Sequence, residues 1–239
     1  MPQLPGKFCD EQFAGVASLF PLPGLVVFPN AVQALHIFEP RYRQMLADSL
    51  RGDKLLAMAT LADGWEGMYD GQPPVSSSIC LGQIASHSLL EDGCSNVLLM
   101  GLRRARIVSE LPTDRLYRQA NVEIIPDVYP ANCDSQRCTL QKELVEEFKS
   151  VMPKSALVAD QLIQTMDSTL SLGALTDLIG YSLRLPTEAK LRLLADDDVD
   201  ARARFLLEQI RQWGRDEGTD SPTDAGQTRR GFPPDFSSN

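Results

Sequence analysis

The hydrophobic pattern changes period once along the chain, and that change limits the fold more than any other feature. Between Leu19 and Ile125 apolar side chains come in alternating or short continuous runs, whereas from Leu140 onward they recur every third and fourth residue. A period of two builds strands and one near 3.6 builds helices. Strands followed by helices predict an α+β architecture rather than alternating βαβ units.

Within the first part, "FPLPGLVVFPN", Phe20–Asn30, begins extended, because a residue before proline is driven out of the helical region, and Pro23-Gly24 supplies turn chemistry. "VQALHIF", Val32–Phe38, and "LLAMATL", Leu55–Leu61, are apolar on both alternating faces, which predicts strands covered on both sides. One helix interrupts them. It starts at Glu39-Pro40, puts Tyr42, Met45, Leu46 and Leu50 on one side, and stops at Gly52. "ICLGQIASHSLL" and "NVLLMGLRRARIVSEL" flank "EDGCS", whose Asp92-Gly93 is a hairpin signal. Gly82 and Gly101 mark expected bulges or bends of a closing sheet. "QANVEII" alternates cleanly. Many short strands with one inserted helix predict a small curled sheet or barrel.

Beyond "PDVYPANCD", helical stripes run through Leu140, Leu144, Phe148 and Met152, then Ala156–Met166, then Leu172, Leu175, Ile179 and Leu183. Pro186 opens a shorter helix. Val199, Ala203, Leu206, Ile210 and Trp213 form a narrow seam on the last one, suited to packing within the bundle or to a homodimer. The expected organisation is an extension over 1–17, a β-rich unit over 18–126, a helical unit over 127–213 and a disordered tail over 214–239 rich in Gly, Pro, Ser, Thr and Asp.

Composition narrows the chemistry. With 43% hydrophobic residues, 23% charged and a formal charge of −9, the chain has material for a core but no cationic body, so nucleic acid is not an expected partner. Cys9, Cys80, Cys94, Cys133 and Cys138 are scattered as reduced cytosolic thiols would be, and with only His36 and His87 they predict no metal site. No apolar run approaches the roughly 20 residues that span a bilayer, so a cytoplasmic chain without membrane contact is expected. No phosphate-binding glycine loop, dinucleotide fingerprint or serine elbow occurs, so no cofactor and no catalytic residue is expected. Both histidines read as sheet residues. "DDDVD", Asp196–Asp200, precedes the last helix, where Asp198 can cap it.

Two stretches remain as candidate contact regions. "ADGWEGMYDGQPPVSSS" is long for a connection, and its Trp65, Met68 and Tyr69 are side-chain types enriched at binding hot spots. "RRAR" carries Arg103, Arg104 and Arg106; on a strand Arg104 and Arg106 share a face, either solvated and ion-paired or available to RNA.

"FPLPGLVVFP" followed by "LHIFEPRYRQM" resembles the start of the Lon-protease N-terminal, or LON substrate-binding, domain, and in particular its stand-alone bacterial members. "LGQI" at Leu81–Ile84, "GLRRARIV" at Gly101–Val108 and the segment Leu172–Ile210 are similar to later motifs of the family, in the same order, over Ser18–Trp213. The resemblance implies a PUA-like β pseudo-barrel with one inserted helix, followed by an all-α bundle. It implies binding of unfolded segments or a partner protein, including a separate protease or chaperone, without hydrolysis, since neither a nucleotide loop nor a Ser-Lys peptidase segment is present. The alternatives are an RNA-binding PUA-like domain using the three arginines and a Lon-related peptidase.

Overall fold

The structure, a computed structural model, describes residues 10, 13–68, 71–131, 134–152 and 170–216. The helix expected over Ala156–Met166, Tyr69, and the tail from 217 onward lie outside the described residues. The strands are β1 (Val16–Leu22), β2 (Val32–Ile37), β3 (Leu55–Thr60), β4 (Ser78–Leu89), β5 (Ser95–Leu111) and β6 (Gln119–Ile125). Helix α1 (Pro40–Arg51) interrupts them, and α2 (Asp134–Val151), α3 (Leu172–Ser182), α4 (Thr187–Ala195) and α5 (Val199–Asp216) follow. The α+β class, the inserted helix and the Asp92-Gly93 hairpin are as the sequence predicts.

The strands lie in the order β2-β5-β4-β3-β1-β6, and β6 returns to pair with β5, so the sheet closes on itself. β5 makes this possible by its length of 17 residues: Ser95–Met100 hold β2, and Arg104–Leu111 hold β6. β1 and β3 are parallel; the other pairs are antiparallel. Closure leaves β2, paired with β5 alone among the described strands, with an open edge.

Two cores result. The lumen of the closed sheet is filled by short side chains, with Ala17, Ala57, Ala59, Ala105 and Ala120 packed among Leu19, Ile79 and Leu81. The second core lies between the outside of the sheet and the helices, where Phe20, Met58 and Leu99 belong to one cluster with Leu144, Phe148, Leu175, Leu206 and Ile210. Each such large side chain contributes about 1.5–3 kcal/mol through burial. The seam of α5 is used here: Val199, Ala203, Leu206 and Ile210 are buried within the chain, so this seam is not a free surface for a homodimer. Asp198 caps α5 as expected, its Oδ1 accepting from the amides of Asp200 (2.9 Å) and Ala201 (3.0 Å).

The proline-rich opening serves this architecture. The amide of Ala31 donates to the Phe28 carbonyl (3.2 Å), closing a turn with Pro29 second and Asn30 third, and Asn30 has the positive φ of 63° that asparagine tolerates. The turn lies directly on β5. The Asn30 amide donates to the Gly101 carbonyl (2.9 Å), and the Gly101 amide donates to Ala31 (2.8 Å).

Cys80 sits in the second core, and burial pushes its thiol far above the usual range, with Asp177 adding to the effect. Cys138, on α2, is exposed. Iodoacetamide labelling followed by peptide mapping should modify native Cys138 at least about a hundredfold faster than Cys80. Comparable rates would mean that the sheet–helix interface opens readily.

One strand departs from expectation. β3 is buried along its whole length, as its two apolar faces predict. β2 is not covered on both sides: Gln33, Leu35 and Ile37 are buried, but Val32 is 49% exposed and Ala34 and His36 are half-buried. The helices cover one face of the β2–β5–β4 extension and leave the other open.

Candidate functional site

The open face of that extension exposes apolar side chains. Val32 stands opposite Met100, Ala34 opposite Leu98, and His36 opposite Asn96, because successive side chains of a strand alternate between faces. Leu98 is 44% exposed and Phe38, just past the end of β2, 38%. The His36 ring stacks on Phe38 with centroids 6.0 Å apart, and its Nδ1 lies 2.8 Å from Asn96 Oδ1. His36 is therefore a hydrogen-bonded sheet residue, as the sequence suggests.

The tryptophan loop lies elsewhere. Trp65 and the backbone of Met68 belong to a short 3₁₀ turn, Trp65–Met68, where Trp65 is half-buried. The loop is pinched at its base, the Ala62 amide donating to Pro74 (2.9 Å) and the Ser76 amide to Thr60 (2.8 Å). β3 runs from Leu55 opposite Gln83 to Met58 opposite Cys80, so it delivers this loop to the end of the sheet where β4 begins. The Val32–Leu98 stripe lies toward the opposite, hairpin end.

Arg104 and Arg106 share one face of β5, with Arg103 on the other, as the alternation predicts, but burial of Arg104 keeps them from forming one solvated basic surface. Arg103 pairs with Asp10 (3.0 Å), and Arg106 is exposed opposite Glu123. Arg104 is 3% exposed and pairs with Asp177 on α3 and with Asp127 (3.2 Å). The cause is local. Gly82 faces Gly101 but Leu81 faces Arg103, so β5 carries an extra residue, Leu102, and alternation resets. Odd-numbered Val97 and Leu99 are buried in the second core before the bulge; after it, Arg104 turns to α3 and Ala105 into the lumen.

Arg104 belongs to a buried ionic network that joins the two parts of the chain. Asp127 Oδ1 also accepts from Arg202 Nη1 (2.8 Å), and Arg202 Nε donates to Thr176 Oγ1 (3.2 Å). Burial pushes the Asp177 carboxyl upward, and the adjacent Arg104 opposes that shift. The connection Asp127–Pro130 threads through the network. The Val128 amide donates to Asp197 (2.8 Å), the Val199 amide to Val128 (3.1 Å), and Arg137 to the Pro130 carbonyl (2.8 Å) and to Asp200 (2.9 Å). Buried charges paired and hydrogen-bonded in this way are structural.

A groove between α2 and α5, about 460 Å³, is lined by Leu140, Glu143, Arg204, Leu207, Glu208 and Arg211. Four of those six side chains are charged, whereas small-molecule sites carry few charged groups. Among the described residues, no group of three or more His, Cys, Asp or Glu side chains is arranged to hold a metal ion, and no helix is long and apolar enough to cross a membrane.

Residues 16–212 match the family described as the ATP-dependent protease La (LON) substrate-binding domain. The chain belongs to that family. The LON domain is 26% identical over 211 residues to Lon protease 2 of Myxococcus xanthus, covering 86% of this chain and 24% of that protein. It is 27% identical over 194 residues to Lon protease of Heliobacterium modesticaldum, covering 80% and 23%. It thus spans about a quarter of the length of these curated relatives. The fold of this LON domain is similar to that of the N-terminal domain of Mycobacterium avium complex Lon protease, with a TM-score of 0.64 at 17% identity over 82% of this chain and 98% of that one. A Lon N-terminal domain protein from Xanthomonas campestris gives 0.57 at 21% identity over 83% and 98%.

Proposed function

We propose that this chain is a polypeptide-binding module that holds exposed apolar segments of substrate or partner proteins and contributes recognition rather than peptide-bond cleavage. The observation that carries the reading is the open apolar face around Val32, Leu98 and Phe38 in a domain of the LON substrate-binding family. Fixed apolar side chains that water already surrounds gain free energy when a segment covers them, at about 25 cal/mol per Å² before association costs. The connection that carries Trp65, Met68 and Tyr69 in the sequence is a second contact region in this proposal.

Reduced, unfolded casein titrated against the full chain should bind saturably. Leu98→Asp places a charge in the centre of the face and should weaken binding at least about tenfold, while Trp65→Ala should weaken it about threefold. Unchanged binding in Leu98→Asp would remove the face from the proposal, and unchanged binding in Trp65→Ala would remove the loop. Absence of binding to any polypeptide would overturn the function.

A further inference from the structure

We infer that the free edge of β2 receives an extended polypeptide segment as an added strand, which rests on the polypeptide-binding reading and specifies its geometry. The parity of the strand decides which backbone groups are available. The Ala31 carbonyl accepts from Gly101 of β5 (2.8 Å), so by alternation Gln33, Leu35 and Ile37 direct their amides and carbonyls toward β5, and Val32, Ala34 and His36 direct theirs away from it. Among the described residues, no backbone carbonyl accepts from the Val32, Ala34 or His36 amides. Two of the outward carbonyls meet only side-chain donors: Gln33 Nε2 donates to Ala34 (2.7 Å), and Tyr181 Oη lies 3.2 Å from the Val32 carbonyl with its one proton shared with Gln33 Oε1 (2.9 Å).

An unpaired row of alternating donors and acceptors is a template for another strand, and side-chain donors on its carbonyls are replaceable by backbone amides. Tyr181 closes the Val32 end, so pairing runs along Ala34 and His36 toward Phe38. Side chains of the added strand that project to the open face extend the row formed by Val32, Ala34 and Leu98. The recess beside the same edge, among Leu35, His36, Phe38, Glu39 and Tyr42, has a volume of only about 10 Å³, so side chains of the segment on that side lie over it rather than in it. Charge selects further. The chain carries −9, so the fitting occupant is an apolar segment with neutral or basic flanks, and an acidic one approaches against the field of the whole protein.

The test uses a fluorescent peptide of three valines alternating with threonines and flanked by lysines, titrated by anisotropy against the full chain. Methylating alternate backbone nitrogens of the peptide removes its strand hydrogen bonds but keeps its apolar surface, and should weaken binding at least about tenfold. Ala34→Pro removes an outward amide without touching the ladder to β5, the position at which an edge strand tolerates proline, and should weaken the unmethylated peptide to a similar degree. Glutamate flanks in place of lysines should weaken it severalfold. If Ala34→Pro does not fold, the methylated peptide on the wild-type chain decides. Binding of that peptide within twofold of its parent overturns strand addition and leaves the polypeptide-binding reading standing; no binding of any peptide or of casein overturns both.

Discussion

Asp177→Leu is expected to destabilise the chain by about 3–5 kcal/mol, measured as the shift of its urea unfolding free energy. Arg104 and Arg202 are almost fully buried, and Asp177 is the carboxylate closest to Arg104. Removing it leaves two guanidinium groups to share the partly exposed Asp127 as their remaining carboxylate among the described residues. A buried cation without a partner costs its desolvation energy in full, and the protein cannot neutralise arginine by releasing a proton. The double variant Arg104→Met with Asp177→Leu should recover much of the loss, because it removes the charge together with its partner. A single variant that loses less than about 1 kcal/mol, or a double variant no better than the single one, would show that the network does not hold the helices on the sheet.

Gly101→Val should be still less tolerated, with a loss at or above the roughly 3 kcal/mol upper end typical of overpacking. A Cβ built at Gly101 falls 2.0 Å from the Phe28 carbonyl oxygen, and 3.1 Å from the sulfur of Cys80. The obstacle is backbone, which cannot rotate aside, and that backbone is the turn fixed by Pro29 and Asn30. Gly82→Ala makes the informative comparison. Its Cβ meets the Leu99 side chain at 2.8 Å and backbone, the Met100 carbonyl oxygen, only at 3.1 Å, so its tightest contact is with a side chain, which can adjust where a turn cannot. Thermal melts of the two variants should therefore differ by several degrees, Gly101→Val being the lower, and equal melting temperatures would mean that the Phe28–Asn30 turn yields.

Much of this fold is legible in the sequence because its signals are local. The hairpin at Asp92-Gly93, the helix entry at Pro40, the cap at Asp198 and the alternation of Gln119–Ile125 each depend on a few neighbouring residues. Gly82 and Gly101 foreshadow a closing sheet, and the β4–β5 register does shift there, but the partners are not local: closure needs β5 to be shared between β2 and β6 on successive halves, and no residue type announces that. Arg104 was unreadable for two reasons: the extra residue Leu102 resets the alternation, and its counterion lies 73 residues away on α3. β2 misleads in the opposite sense. Its two apolar faces are identical in kind to those of β3, and only the position of the helices decides that one is covered while Val32 and Leu98 stay open. The candidate site is thus made of residues whose composition reads as core. Exposure of core-like side chains is the signal a single sequence cannot carry.

The alanine-filled lumen has a consequence for how such a domain can diversify. Ala17, Ala57, Ala59, Ala105 and Ala120 are buried inside the closed sheet, where wider barrels keep a chamber for a guest molecule. Together with Leu19, Leu55, Ile79, Leu81 and Val122 they pack into one buried cluster, as the interior of a narrow barrel does. Its inner wall is therefore constrained by steric fit alone, and changes in what the domain recognises have to be written on its outer skin, where a side chain can be exchanged without disturbing the closure of the sheet.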